Sequence, residues 1–341
     1  MRIKEFSYKL KDKLRGYFIL KNWNQGDYEK YCAKYATYWH AKKISENQLK
    51  DGFRNIYMTA RPNPKAGIGH QMANWIAGYW YAKFFGLKFA HIPFSNVKDP
   101  FVGDKWEQFL NYGVDEVQVK DLLSDGWKIR YLPLFDEFNE KHLAVIRKII
   151  NSYQGHKVIF CLEQDQFFRD QYKVRFDLEK KFKSRPTRTK LIFNKDEFNI
   201  AVHIRRGDIV QSERKSENEN LSMRWITNEY FVNAIDTALQ IIKTDKKIHF
   251  YIFSQGKISD YPELEKFENL TFCLGMAAMP SFEHMIYADA LITSKSSFSY
   301  KPALMNSGYK FCPKVFWHGY PEGAEDWILL DQYGYVDNEE A

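Results

Sequence analysis

The chain has 341 residues, 45% hydrophobic, 17% aromatic and 27% charged, and 50 Lys and Arg against 43 Asp and Glu give it a formal net charge of +7. This composition excludes a disordered or collagen-like chain, and at about 100–200 residues per domain the length predicts two domains. No apolar run reaches the roughly 18–20 residues that cross a bilayer, and no secretory signal is expected at the start.

The first 22 residues carry Arg2, Lys4, Lys9, Lys11, Lys13, Arg15 and Lys21 against Glu5 and Asp12, which is five of the seven net charges. A fold built to neutralise nucleic-acid phosphates would spread its charge over a folded face, so nucleic acid is not expected as a partner. Ile3, Phe6, Leu10, Leu14, Tyr17 and Phe18 recur at helical spacing between these charges. Two readings stand for this segment: a helix packed on the first domain, or a basic amphipathic helix on an anionic membrane surface.

Further along, short β-branched and aromatic runs at 55–59, 89–92, 116–119, 128–132 and 157–162 read as strands. The basic, Pro-containing stretch KSRPTRTK at 183–190 has no apolar periodicity and reads as a linker. Strand-like runs resume at 199–204, 247–253, 270–274, 290–293 and 309–312, with helical patterns at 228–242 and 282–288 among them. Such alternation predicts an α/β fold of two Rossmann-like domains, with parallel sheets facing a central cleft. The expected division is a basic helical extension at 1–54, domains at 55–190 and 191–318, and a tail at 319–341. Cys32, Cys161, Cys273 and Cys312 form no CxxC pair, and the last three sit in apolar runs, which predicts buried reduced thiols in a cytoplasmic protein.

Three segments carry candidate chemistry. AVHIRRGD at 201–208 brings His203, Arg205, Arg206 and Asp208 to the end of a hydrophobic strand, where open α/β sheets bind ligands. The planar fork of arginine matches a diphosphate, and strand alternation lets one arginine face ligand while the other pairs with Asp208. The plain alternative is a surface salt bridge. GIGHQ at 67–71 precedes an apolar helix, where glycines let backbone N–H groups approach an anion. It is neither a Walker A loop nor GxGxxG, and a simple turn is its plain reading. The run TSKSSFS at 293–299 follows a strand, and its hydroxyl and N–H groups can wrap phosphate oxygens or merely form a solvated turn.

Taken together and in this order, GIGHQ, HIRRGD, FYIFS at 250–254 and SSFS at 296–299 resemble the fucosyltransferase superfamily, and most closely its bacterial α-1,2-fucosyltransferases, over roughly residues 56–317. The resemblance implies a GT-B enzyme that transfers fucose from GDP-fucose with inversion and without a metal. The sequence has no DxD, only Glu163-Gln164-Asp165, so arginines would have to neutralise the leaving diphosphate. Carried over, Arg205 and Arg206 serve the diphosphate, His203 lies near the guanine, and Ser296, Ser297 and Phe298 line the phosphates. Gly67, Gly69 and Gln71 then approach from the other domain, and His70 stands where relatives have Asn. A related glutamate places Glu213 as the candidate general base with Asp208 second, against the reading of Glu213 as a solvated loop residue. The guanine-reading Asp of relatives falls at Ser281, with Glu283 two residues on. The acceptor implied is a galactose-type 2-hydroxyl of a surface glycan precursor such as O-antigen or lipopolysaccharide, with residues 1–22 as the membrane-side contact at the inner face of the cytoplasmic membrane. The alternatives are another nucleotide-sugar donor on the same fold, or a non-catalytic glycan-binding protein.

Overall fold

The computed structural model describes residues 27–45, 56–95, 100–163, 165–185, 189–207 and 223–337. The contacts divide the chain into two units. The first takes the described residues up to Asn63 with Asn74–Pro93 and Asp115–Phe167, and the second takes Pro64–Ala73, Phe94–Val114 and everything described from Phe168 on.

In the first unit, β1 (Tyr57–Ala60), β2 (Lys88–His91), β3 (Val117–Gln118), β4 (Lys128–Tyr131) and β5 (Val158–Leu162) form a parallel sheet in the order β3-β2-β1-β5-β4. All five residues of β5, VIFCL, are buried, as expected of a strand covered on both faces. The helix Glu140–Ser152 starts where the Asn139 side chain accepts the N–H groups of Lys141 and His142. It buries Leu143, Ile146, Ile149 and Ile150 along one stripe, each worth about 1.5–3 kcal/mol.

In the second unit, β6 (Phe198–His203), β7 (Ile248–Phe253), β8 (Leu270–Phe272), β9 (Ala290–Ile292), β10 (Tyr309–Pro313) and β11 (Trp327–Leu330) pair in parallel in the order β11-β10-β9-β6-β7-β8. The chain runs outward from β6 through β7 and β8, then returns to the other side of β6 with β9. The boundary between β6 and β9 is therefore the point where strand order reverses. The helix Asn228–Ile241 is capped by Thr227 and packs Phe231, Ala234, Ile235 and Ala238 into a core with Ile200, Val202, Ile252 and Ile292.

The structure therefore contains two parallel α/β sheets, and each of the ten strand-like runs holds a strand. Three features differ from the expected division. Residues 64–73 and 94–114 join the second unit although they precede 191. The stretch 319–341 is not merely a tail, because Trp327–Leu330 forms the edge strand β11 on β10. The basic run at 183–190 is not wholly a solvated linker either: Lys183 ends the helix Arg175–Lys183, and Arg185 is buried. All four cysteines are buried free thiols. Among the described residues no helix is long and apolar enough to cross a membrane, and residues 1–22 lie outside them.

Candidate active site

The second unit brings the three motifs together at the carboxyl ends of β6 and β9. His203 ends β6, so the chain turns out of the sheet carrying Arg205 and Arg206. The Arg205 N–H donates to Ser294 Oγ at 3.3 Å and its Nη1 donates to Ser296 Oγ at 3.3 Å, joining the two loops across the strand-order reversal. Gly207 allows the turn that follows: its φ is +70°, and a Cβ there would lie 1.7 Å from Gln255 Oε1. Ser254, after β7, donates its hydroxyl to the Ile204 carbonyl at 2.7 Å and steadies the same turn.

Arg206 points to the β7 side. It is buried, its guanidinium lies 4.1 Å from the Trp225 ring, Nη2 donates to Asn228 Oδ1 at 2.6 Å, and Nη1 donates to the Arg205 carbonyl at 2.9 Å. The two adjacent arginines thus serve opposite sides of β6. Asp208 and Glu213 lie outside the described residues, as does the expected pairing of an arginine with Asp208.

The serine loop is tied largely to itself. Ser296 Oγ also accepts the Phe298 N–H at 3.2 Å and so caps the helix Ser297–Ala303. The Ser294 N–H donates to Ser299 Oγ at 3.2 Å, and Ser297 Oγ shares a hydrogen bond with His318 Nε2 at 3.0 Å. Burial holds His318 well below the usual histidine range, helped by the charges of Lys301, His70 and Arg169. Its ring stacks on Tyr300 at 4.3 Å. The half-buried Phe298 ring lies 5.5 Å from the His203 ring. His203 itself is 8% exposed, and its Nδ1 is buried without a hydrogen-bond partner. Burial, and then the charges of Arg205 and Arg206, push its pKa down to about 3, so it is a neutral ring at physiological pH.

Gly69 explains how the glycine loop reaches this place. A Cβ there would lie 2.9 Å from the Ser297 carbonyl carbon, so the first turn of the helix Ile68–Phe84 packs backbone against the start of Ser297–Ala303. This approach takes place within the second unit. Gln71 is buried and spends its amide locally: Nε2 donates to the carbonyls of Ala66 (3.1 Å) and Ser95 (2.7 Å), and Oε1 accepts the Ser95 N–H at 3.1 Å. Gly67 and His70 are exposed.

Glu283 is 1% exposed, ion-paired to Arg185, and accepts the Thr189 N–H on Oε2 at 2.9 Å. Ser281 donates to the Met276 carbonyl at 3.3 Å. Both are engaged by the protein itself. Trp75 and Trp106 are buried core residues.

No protein-family model matches the chain, and no curated protein does. Among solved structures, the chain is similar to the fucosyltransferase NodZ from Bradyrhizobium at 13% identity and a TM-score of 0.39, covering 74% of this chain and 93% of that one. It is similar to POFUT1 in its apo form at 13% identity and a TM-score of 0.45, covering 78% and 100%. The E. coli heptosyltransferase WaaC with ADP gives 9% identity and a TM-score of 0.39, covering 82% and 94%.

Several site residues escape sequence reading. Gly207 had a visible signal, a glycine directly after a strand end. His318, Asn228 and Trp225 had none, because each is defined by a partner distant in the chain. Among the described residues no group of three or more His, Cys, Asp or Glu is placed to hold a metal ion.

Proposed function

We propose that the chain is a glycosyltransferase that binds the diphosphate of a nucleotide sugar at the β6–β9 reversal. The observation that carries this is Arg205, held between the β6 and β9 loops by Ser294 and Ser296 at 3.3 Å each. A guanidinium fixed at that position can neutralise the charge that develops on a departing diphosphate. The neutral, buried His203 with its unpartnered nitrogen, beside the half-buried Phe298, suits an aromatic base that stacks and hydrogen-bonds. With the HIRRGD and SSFS resemblance, the donor is GDP-fucose and the reaction an inverting, metal-independent transfer to the 2-hydroxyl of a galactose-type sugar in a surface glycan precursor. Glu213 serves as general base with Asp208 second, and residues 1–22 hold the protein at an anionic membrane.

A second reading keeps the chemistry and changes the donor. It is favoured by the engagement of Glu283 and Ser281, since guanine's N1–H and N2–H₂ donors call for an available carboxylate. Incubation with GDP-fucose, EDTA and a galactoside, followed for GDP release, tests the first reading, and the absence of release with every acceptor refutes it. A thermal-shift series with GDP, UDP, CDP and ADP separates the two, because stabilisation by a nucleotide other than GDP selects the second.

A further inference from the structure

A cleft of about 640 Å3 opens on the β7 side of the HIRRGD turn, away from the serine loop that holds Arg205. Its size falls within the roughly 300–1,000 Å3 of small-ligand pockets. The lining includes Arg206, Trp225, Tyr261, Glu229, Asp260 and Glu263. Among the described lining residues three carboxylates face one guanidinium, a net negative set that disfavours a diphosphate here relative to Arg205. Hydroxyl groups suit it, because carboxylate oxygens accept their hydrogens strongly. The Trp225 ring, 37% exposed, supplies an aromatic surface against which the C–H face of a pyranose can pack.

The walls are held in advance of any ligand. Asn228 takes the Arg206 guanidinium on Oδ1 and donates Nδ2 to Glu263 Oε2 at 2.8 Å and to the Asp260 carbonyl at 2.9 Å. Asp260 Oδ2 accepts the Lys257 N–H at 2.8 Å. Arg206 lines the cleft and also donates to the carbonyl of Arg205, so the cleft and the proposed diphosphate site share the HIRRGD turn. We propose that this cleft is an acceptor subsite for a neutral pyranose. The assignment to acceptor rests on the glycosyltransferase reading; the preference for a neutral sugar rests on the cleft alone.

The test is ligand-observed NMR titration of the full chain with methyl β-galactopyranoside, methyl β-glucopyranoside, methyl α-L-fucopyranoside and the anionic methyl β-galacturonide, with GDP and UDP thermal shifts on the same preparation. A neutral galactoside or glucoside should bind at least about tenfold more tightly than the galacturonide, and Trp225→Ala should cost about tenfold while Trp225→Phe retains binding. Glu229→Lys, at an exposed position, should bring the galacturonide up towards the neutral glycoside. Equal or tighter binding of the galacturonide to the unmodified chain, or unchanged affinity in both Trp225→Ala and Glu229→Lys, overturns the cleft assignment. Preference for the fucoside overturns the acceptor assignment. Stabilisation by nucleotide without glycoside binding defeats the cleft and leaves the donor site standing. Glycoside binding without any nucleotide effect defeats the transferase reading and with it the acceptor role.

Discussion

Arg185 and Glu283 test whether the buried carboxylate serves the fold or a ligand. Their side chains are 2% and 1% exposed. The guanidinium lies 3.7 Å from the Phe182 ring and 4.8 Å from that of Phe109, and it donates to the Phe109 carbonyl at 3.2 Å. Arg185→Met keeps much of the volume against both rings and leaves the carboxylate without its counter-charge, still accepting the Thr189 N–H. Breaking a buried pair from one side costs about 3–5 kcal/mol, and the lost cation–π contact adds up to about 2 kcal/mol, part of which the methionine recovers by packing. About 4 kcal/mol is expected, and about 2 for Glu283→Gln, which still offers an acceptor to Arg185. The double variant Arg185→Met/Glu283→Leu should recover most of the loss, to within about 2 kcal/mol of the parent, because no unpaired charge is left inside. Urea unfolding followed by tryptophan fluorescence measures all four corners of the cycle. If both single variants keep the parent's stability while Glu283→Gln selectively weakens nucleotide binding, the carboxylate reads the base and the structural argument is refuted.

The other site residues give separable outcomes. Gly69→Ala should lose about 1–3 kcal/mol in urea unfolding, because its Cβ meets the Ser297 backbone, whereas Gly67→Ala, with nothing within 4 Å, should be silent; equal effects would refute the close-approach argument. Arg205→Lys keeps the charge and loses the fork, so GDP affinity by calorimetry should fall about tenfold or more; unchanged affinity places the diphosphate elsewhere. For His203, the unfolded imidazole takes a proton near pH 6.5 that the buried ring accepts only near about 3. Its contribution to stability is complete above pH 6.5 and is lost as pH falls from there towards 3. His203→Asn should flatten the unfolding midpoint across that window, and an identical acid slope in parent and variant would refute the assignment.

Strand existence was legible in chain order because β-branched and aromatic runs such as VIFCL and IHFYIF are continuous and bounded by turns. β11 was not, since WILL is four residues long, follows a Gly- and Glu-rich loop, and is secured only by pairing with β10. HIRRGD and SSFS were legible as a pair, but the direction of their side chains was not. The serine hydroxyls engage Arg205, His318 and the loop's own backbone, which composition alone cannot show. Arg185 looked like linker charge because its partner lies 98 residues away, and Gly69 looked like part of an anion loop although its lack of a Cβ is used for packing. In each case residue type was informative and the partner was set by tertiary structure.

That distinction is sharpest for the adjacent arginines, which composition treats as equivalent. Arg205 is half-buried and reaches the serine loop, whereas Arg206 divides its fork between Asn228 Oδ1 at 2.6 Å and the carbonyl of Arg205 at 2.9 Å while stacking on Trp225. Arg206 therefore positions the peptide that carries Arg205. A lysine ammonium cannot span both acceptors and keep a planar stack. Arg206→Lys should lose about 2 kcal/mol of stability and also weaken GDP binding, while Arg205→Lys should weaken binding with little loss of stability. Unfolding and calorimetry on the two variants give a direct comparison. If Arg206→Lys abolishes GDP binding at parental stability, Arg206 itself contacts the diphosphate, and the two arginines act on one side of β6 rather than on two.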